Sequence, residues 1–190
     1  KLSDKKSISA AGLMNVKDGQ NEHLWYNPET MSRLADELAK VFSNKMPSKK
    51  AEFKQNAATY KKKVARLNSE LEKIRAERIE KPVAVSEPVF DYSLEKMGYK
   101  VANAHFAKAV EEESDLSYTD IKNLQNKIKR KEIAFFVYNV QSDGTTVKNI
   151  VNLCKKHDIP VVKVTETLPE GKDYFNWLQS EYRQIAEIEK

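Results

Sequence analysis

A chain of 190 residues with 40% hydrophobic content is long enough to bury a core of ordinary size, and its 33 Lys and Arg against 28 Asp and Glu give a formal charge of +5. The two signs are interspersed along most of the sequence, and only 127–131 comes close to the basic face with aromatic neighbours that a nucleic-acid groove wants, so composition speaks against one. No apolar run approaches the length of a membrane span, no signal-peptide pattern stands at Lys1, and the single cysteine, Cys154, excludes an internal disulfide.

Residues 1–20 are polar, contain Gly12 and Gly19, and read as irregular. A dense polar and aromatic knot follows, Asn21 to Pro28, and opens a helix predicted over 28–42. Asn27 suits its cap, Pro28 its first position, and Leu34, Leu38 and Phe42 form its apolar stripe. The stretch 44–47 breaks it. A second, much longer helix is predicted over 49–81, because Phe53, Ala57, Tyr60, Val64, Leu67, Leu71 and Ile74 recur at steps of four and three with no Gly or Pro before Pro82. At 1.5 Å per residue, roughly thirty residues reach about 45 Å, longer than a small domain is wide. A coiled-coil seam would want better residues than Ala57 and Tyr60, so this helix reads as a brace.

Beyond residue 81 the pattern alternates between strand and helix. Strands are predicted at 82–86, 99–102, 134–138 and 160–164, and helices at 90–97, 106–112, 117–131, 144–157 and 174–189. Ser117 and Asp120 resemble a capping-box pair, Gly98 ends one helix, and His157 suits the negative end of another. Cys154 falls at helical spacing with Val147, Ile150 and Val151, which makes it a small core residue. Continuous apolar strands alternating with helices imply an α/β fold: a small lobe with a four-stranded parallel sheet, helices on both faces, and two helices ahead of it.

In such sheets ligands collect outside the carboxyl ends of the strands. Glu87 follows the first strand, and Glu166 and Asp173 follow the fourth. Glu87 and Asp173 also stand just before helices, where a carboxylate serves equally well as a cap. His23, between polar residues and Trp25 and Tyr26, is a candidate imidazole, while His105 and His157 have less around them. There is no nucleophile elbow and no phosphate-cradling glycine loop, so catalysis has little to stand on. One histidine with carboxylates is a usable donor set for a divalent transition ion, imidazole suiting zinc and carboxylate oxygens shifting preference toward manganese.

Three separated motifs, Asn21-Glu22-His23-Leu24-Trp25-Tyr26-Asn27-Pro28, Val85-Ser86-Glu87-Pro88-Val89-Phe90 and Thr165-Glu166-Thr167-Leu168-Pro169, together with the unbroken helix, resemble the zinc and manganese solute-binding proteins of bacterial ABC transporters. The resemblance implies one half of a two-lobed metal-binding protein: 1–48 the edge of a first lobe, 49–81 the linker helix, 82–190 the second lobe. By the same resemblance His23 matches a family histidine ligand and Glu87 a Glu-or-His ligand position. The family's aspartate falls in the loop before the last helix, which offers Asp173, with Glu166 as the rival. A monomeric, extracytoplasmic protein is expected, a lipoprotein held at the outer face of the membrane, that captures Zn2+ or Mn2+ and delivers it to a permease. It is not expected to be an enzyme. Without a counterpart of the first lobe's histidine, the chain is expected to bind metal weakly. The alternative is a surface interaction or adhesion scaffold that uses the long helix and has no metal role.

Overall fold

The computed structural model describes residues 7–142 and 144–188 and contains eight α-helices and three strands among them. The chain divides into two compact units, Lys1–Asn68 and Ser69–Lys190, and the division falls inside the long helix.

In the first unit, helix α1 (Ala10–Met14) stands where an irregular segment is expected; of that segment, residues 1–6 lie outside the described residues. Its reason is local: Ser9 caps it, accepting from the Gly12 N–H at 3.2 Å, and Asn15 ends it in the left-handed region at φ 57°. Helix α2 (Pro28–Lys45) starts as the sequence predicts, with the Glu29 N–H donating to Asn27 Oδ1 at 3.1 Å and Pro28 in the first turn, where no N–H is missed. It runs three residues past the predicted end. A 3-10 turn at Pro47–Lys49 then leads into α3 (Lys50–Glu77). Every residue of the predicted stripe is on the inward side of α3: Ala57, Val64, Leu67, Leu71 and Ile74 are buried, and Phe53 and Tyr60 half-buried.

The second unit is built on a parallel sheet of β1 (Ala84–Val85), β2 (Phe136–Asn139) and β3 (Val161–Val164), in that spatial order, with Val85 opposite Val137 and Val137 opposite Val162. The helices between and after the strands are α4 (Asp91–Lys96), α5 (Ala104–Glu111), α6 (Tyr118–Lys129), α7 (Thr145–Lys156) and α8 (Tyr174–Ile188). Gly98 terminates the α4 segment at φ +82°, a conformation that only glycine takes without strain. The predicted end of α8 at residue 189 lies outside the described residues.

The second expected strand, 99–102, is not formed. Residues 99–102 contribute a single parallel bridge, Val101 with Val83, and the side chain of Asn103 does the rest: it accepts from the Val85 N–H at 3.0 Å and donates to the Val85 carbonyl at 2.8 Å. One amide side chain thus stands in for a strand residue, and α5 begins at the next position. The sheet has three strands plus this bridge.

Strand parity sorts the core. Ala84 and Phe136 point to the face covered by α5, α6 and α7, where they pack with Phe106, Leu124, Ile128 and Ile150. Cys154 is buried in the same cluster and burial pushes its thiol up to about 12, which makes it inert. Val85, Val137 and Val162 have the opposite parity and are also buried, so both faces are covered. Below them the Phe90 ring lies 6.1 Å from Tyr182 of α8, and the Tyr182 hydroxyl is 3.2 Å from Ser93 Oγ.

The Ser117/Asp120 capping box is also absent. Ser117 makes no side-chain cap bond, and Asp120 instead lies 2.6 Å from His105 Nδ1, a partner 15 residues away that outcompetes the local one.

Candidate metal centre

The bridge to Val101 fixes the order of connections. Both backbone groups of Val83 go to residues 100 and 102, whereas the N–H groups of Ala84 and Ser86 donate to Phe135 and Val137 of the neighbouring strand segment. Segment 100–102 therefore runs along one edge of β1 and β2 along the other. The chain leaves β1 to one side and returns on the other, so the junction of β1 and β2 is where the connections reverse, the place where open parallel sheets take up ligands.

Glu87 sits at that junction. It stands at the cap position of a 3-10 turn, Pro88–Phe90, yet its side chain makes no cap bond. Instead its Oε2 accepts from Asn139 Nδ2 at 2.6 Å, and Asn139, at the end of β2, is buried. The other end of the same amide accepts from the Gln141 N–H at 3.1 Å, and the Asn139 N–H donates to Ser86 Oγ at 2.9 Å. Gln141 carries the network to β3: its Oε1 accepts from the N–H groups of Glu166 and Thr167 at 2.7 and 3.0 Å, and its Nε2 donates to Thr167 Oγ1 at 2.8 Å. The carboxyl ends of all three strands are tied together by two amide side chains. Glu87 borders a cleft of about 430 Å³ shared with Glu113, Gln141 and Thr145.

Asp173 behaves differently. Its Oδ1 accepts from the Asn176 N–H at 2.7 Å and its carbonyl from the Trp177 N–H at 3.0 Å, so it caps α8 and is exposed. Glu166 is half-buried and is fixed through its backbone by Gln141.

His23, in the first unit, is buried, with its ring 5.2 Å from Trp25 in an edge-on arrangement. Its Nδ1 lies 2.8 Å from Asn21 Oδ1, and its backbone N–H donates to the same oxygen at 2.9 Å. An amide oxygen can only accept, so Nδ1 carries a proton, as in a histidine ligand whose far nitrogen is tied to an oxygen. Leu24–Tyr26 continues as a 3-10 turn that holds this geometry.

Among the described residues, no three His, Cys, Asp or Glu side chains gather closely enough to hold a metal ion. His23 belongs to Lys1–Asn68 and the carboxylates to Ser69–Lys190, and each is placed here within its own unit. Asn21, Asn139 and Gln141 carry the positioning, and none was evident from sequence. Asn21 could have been found, since an Asn two residues before a His can form a local turn onto it; the partners of Asn139 are more than fifty positions away.

Comparison with known proteins places this geometry in context. The family model described as zinc-uptake complex component A, periplasmic (ZnuA), matches residues 2–188. A curated relative, the manganese ABC transporter substrate-binding lipoprotein PsaA of Streptococcus mitis, is 27% identical over 180 residues, covering 91% of this chain and 57% of its own length. The chain thus spans little more than half of the curated relatives it matches. Among solved structures, the periplasmic zinc-binding protein TroA of Treponema pallidum superposes with a TM-score of 0.73 at 13% identity, over 99% of this chain and 73% of that one. A mutant of the laminin-binding adhesin Lmb of Streptococcus agalactiae gives 0.69 at 17%, over 96% and 69%. At these identities the two structures speak for a shared fold.

Proposed function

The chain belongs to the family of periplasmic zinc-uptake component A proteins, transport components and not enzymes, and from that membership we propose that it captures a divalent transition ion, zinc or manganese, outside the cytoplasm for delivery to the permease of an ABC transporter. The observation that carries the reading is Glu87. A carboxylate at a cap position that makes no cap bond, oriented by a buried amide at the reversal point of the sheet, is arranged to offer its oxygens to something else.

His23 then supplies a neutral imidazole through Nε2, with Asn21 holding the ring, and Glu87 supplies oxygen. Asp173 is the further acidic ligand, because a carboxylate that caps with one oxygen keeps a second; Glu166 is the alternative to it. A mixed nitrogen and oxygen set accepts both zinc and manganese. Anchoring at the outer membrane surface as a lipoprotein, as the name of the S. mitis relative describes for that protein, belongs to the same proposal. Among the described residues no helix is long and apolar enough to cross a membrane.

Equilibrium dialysis against zinc and against manganese, with elemental analysis of the chain and of His23→Ala, tests this. The wild-type chain is expected to retain metal and the variant to retain less; equal retention by both contradicts the assignment of His23.

A further inference from the structure

The +5 charge of the chain is not evenly placed. Between residues 40 and 63 there are eight lysines and one acidic residue, Glu52, a local charge of +7 that leaves the remainder slightly negative at −2. The fold turns this stretch into the hairpin of α2, the Pro47–Lys49 turn and α3, all within the first unit. Residues 44–52 are exposed without interruption.

Lys40 pairs with Glu37, Lys49 with Glu52 and Lys61 with Asp36. Lys45, Lys50 and Lys54 form no ion pair among the described residues. Lys50, Lys54 and Lys61 fall on one side of α3 and, with Lys40 of α2, line a groove of about 530 Å³. Two large apolar side chains lie in the same hairpin: Phe42 is 44% and Met46 49% exposed, one turn apart, with the Phe42 ring against Phe53 at 5.6 Å. Exposed apolar side chains and exposed lysines in one hairpin meet both requirements for reversible adsorption to an anionic bilayer, charge to bring it there and apolar surface to insert. No arginine is present in 40–63. Arginine's planar fork serves docked carboxylates, whereas flexible lysine point charges suit a fluid layer of headgroups, so the chemistry favours lipid over an acidic protein partner.

We propose that the α2–α3 hairpin tip, Phe42 and Met46 with Lys45, Lys49, Lys50 and Lys54, is a docking surface for an anionic lipid bilayer. This surface is independent of the metal reading and stands or falls without it.

Co-sedimentation of the chain with vesicles of phosphatidylcholine alone, and of phosphatidylcholine mixed with phosphatidylglycerol, tests the proposal. Binding is expected only to the mixed vesicles, and to weaken when salt is raised from about 0.1 M to about 1 M, which shortens the screening length from about 10 Å to about 3 Å. Each lysine at an anionic surface contributes roughly a fivefold factor, so Lys45→Gln/Lys49→Gln/Lys50→Gln/Lys54→Gln should lower the partition coefficient on the order of several hundredfold. A control with the same charge change on exposed lysines elsewhere, Lys122→Gln/Lys129→Gln/Lys155→Gln/Lys156→Gln, should leave most of the binding intact. Met46→Ser should weaken binding at both salt concentrations. Absence of preference for phosphatidylglycerol, equal losses in the hairpin and control variants, or displacement from vesicles by soluble polyglutamate as effective as by competing vesicles would overturn the proposal, the last pointing to an acidic protein.

Discussion

The loop after β1 and the loop before α8 look alike in sequence and differ in what their carboxylates do. Glu87 and Asp173 both directly precede a helical segment, where a carboxylate is stabilised by free N–H groups and the helix dipole. Asp173 takes that role, accepting from the Asn176 N–H, whereas Glu87 declines it and turns to Asn139. The difference lies in the neighbours. Asp173 has a regular α-helix to cap and is exposed, while Glu87 faces a buried amide at the end of an adjacent strand. A carboxylate satisfied by its own helix contributes to stability, and one held by a distant side chain is set up for a ligand.

Removing the holder should show the largest effect. Asn139→Leu takes the amide donor from Glu87 and the acceptor from the Gln141 N–H, so metal affinity is expected to drop about 10- to 100-fold, as for other groups that orient ligands. Stability should fall by about 1–3 kcal/mol from the hydrogen bonds lost in a buried setting. Parallel metal titration and urea unfolding separate the two; a loss of stability with affinity unchanged would make Asn139 merely structural.

A third carboxylate in a helix's first turn sharpens the contrast. Asp91 is pushed up to about 6 by burial, with Glu95 adding repulsion, and among the described residues its Oδ1 has no hydrogen-bond partner. A carboxyl whose folded pKa is raised favours the folded state relative to its ionised form below the unfolded value near 4. That advantage is lost as pH rises from about 4 through about 6. Asp91→Asn should therefore raise stability at pH 7 by about 1–2 kcal/mol, and the difference from the unaltered chain should vanish below about pH 4. Thermal melts of both across that range check the sign.

The smallest effect belongs to the cap. Asp173→Ala should cost about 1 kcal/mol in urea unfolding, and Asp173→Asn only a few tenths, because Asn caps as well as Asp. A fall in metal affinity in Asp173→Asn at unchanged stability would mark Asp173 as a ligand; the same fall in Glu166→Gln instead would transfer the role.

Much of this architecture is legible in the sequence. The seven-residue stripe from Phe53 to Ile74 specified α3 because helical spacing depends on nothing beyond the chain's own neighbours, and Asn27 with Pro28 specified the start of α2 for the same reason. Reading failed where a distant group overruled a local one. Tyr99, Val101 and Ala102 look like strand, but one bridge and the Asn103 amide suffice to close the edge of β1. Ser117 and Asp120 look like a cap, but His105 takes the carboxylate. The same limit hid Asn139 and Gln141, whose partners lie on other strands. His23 and Glu87 could be singled out by residue type and by the resemblance of their motifs, whereas the side chains that aim them could not.

Glu87, in this reading, is held for a metal and not for the fold. Calorimetric titration of the chain and of Glu87→Gln with zinc and with manganese tests it most directly, since Gln preserves an oxygen for Asn139 to donate to and removes only the charge. An unchanged melting temperature is expected, with metal affinity reduced at least about tenfold. Equal affinity in the two proteins would contradict it.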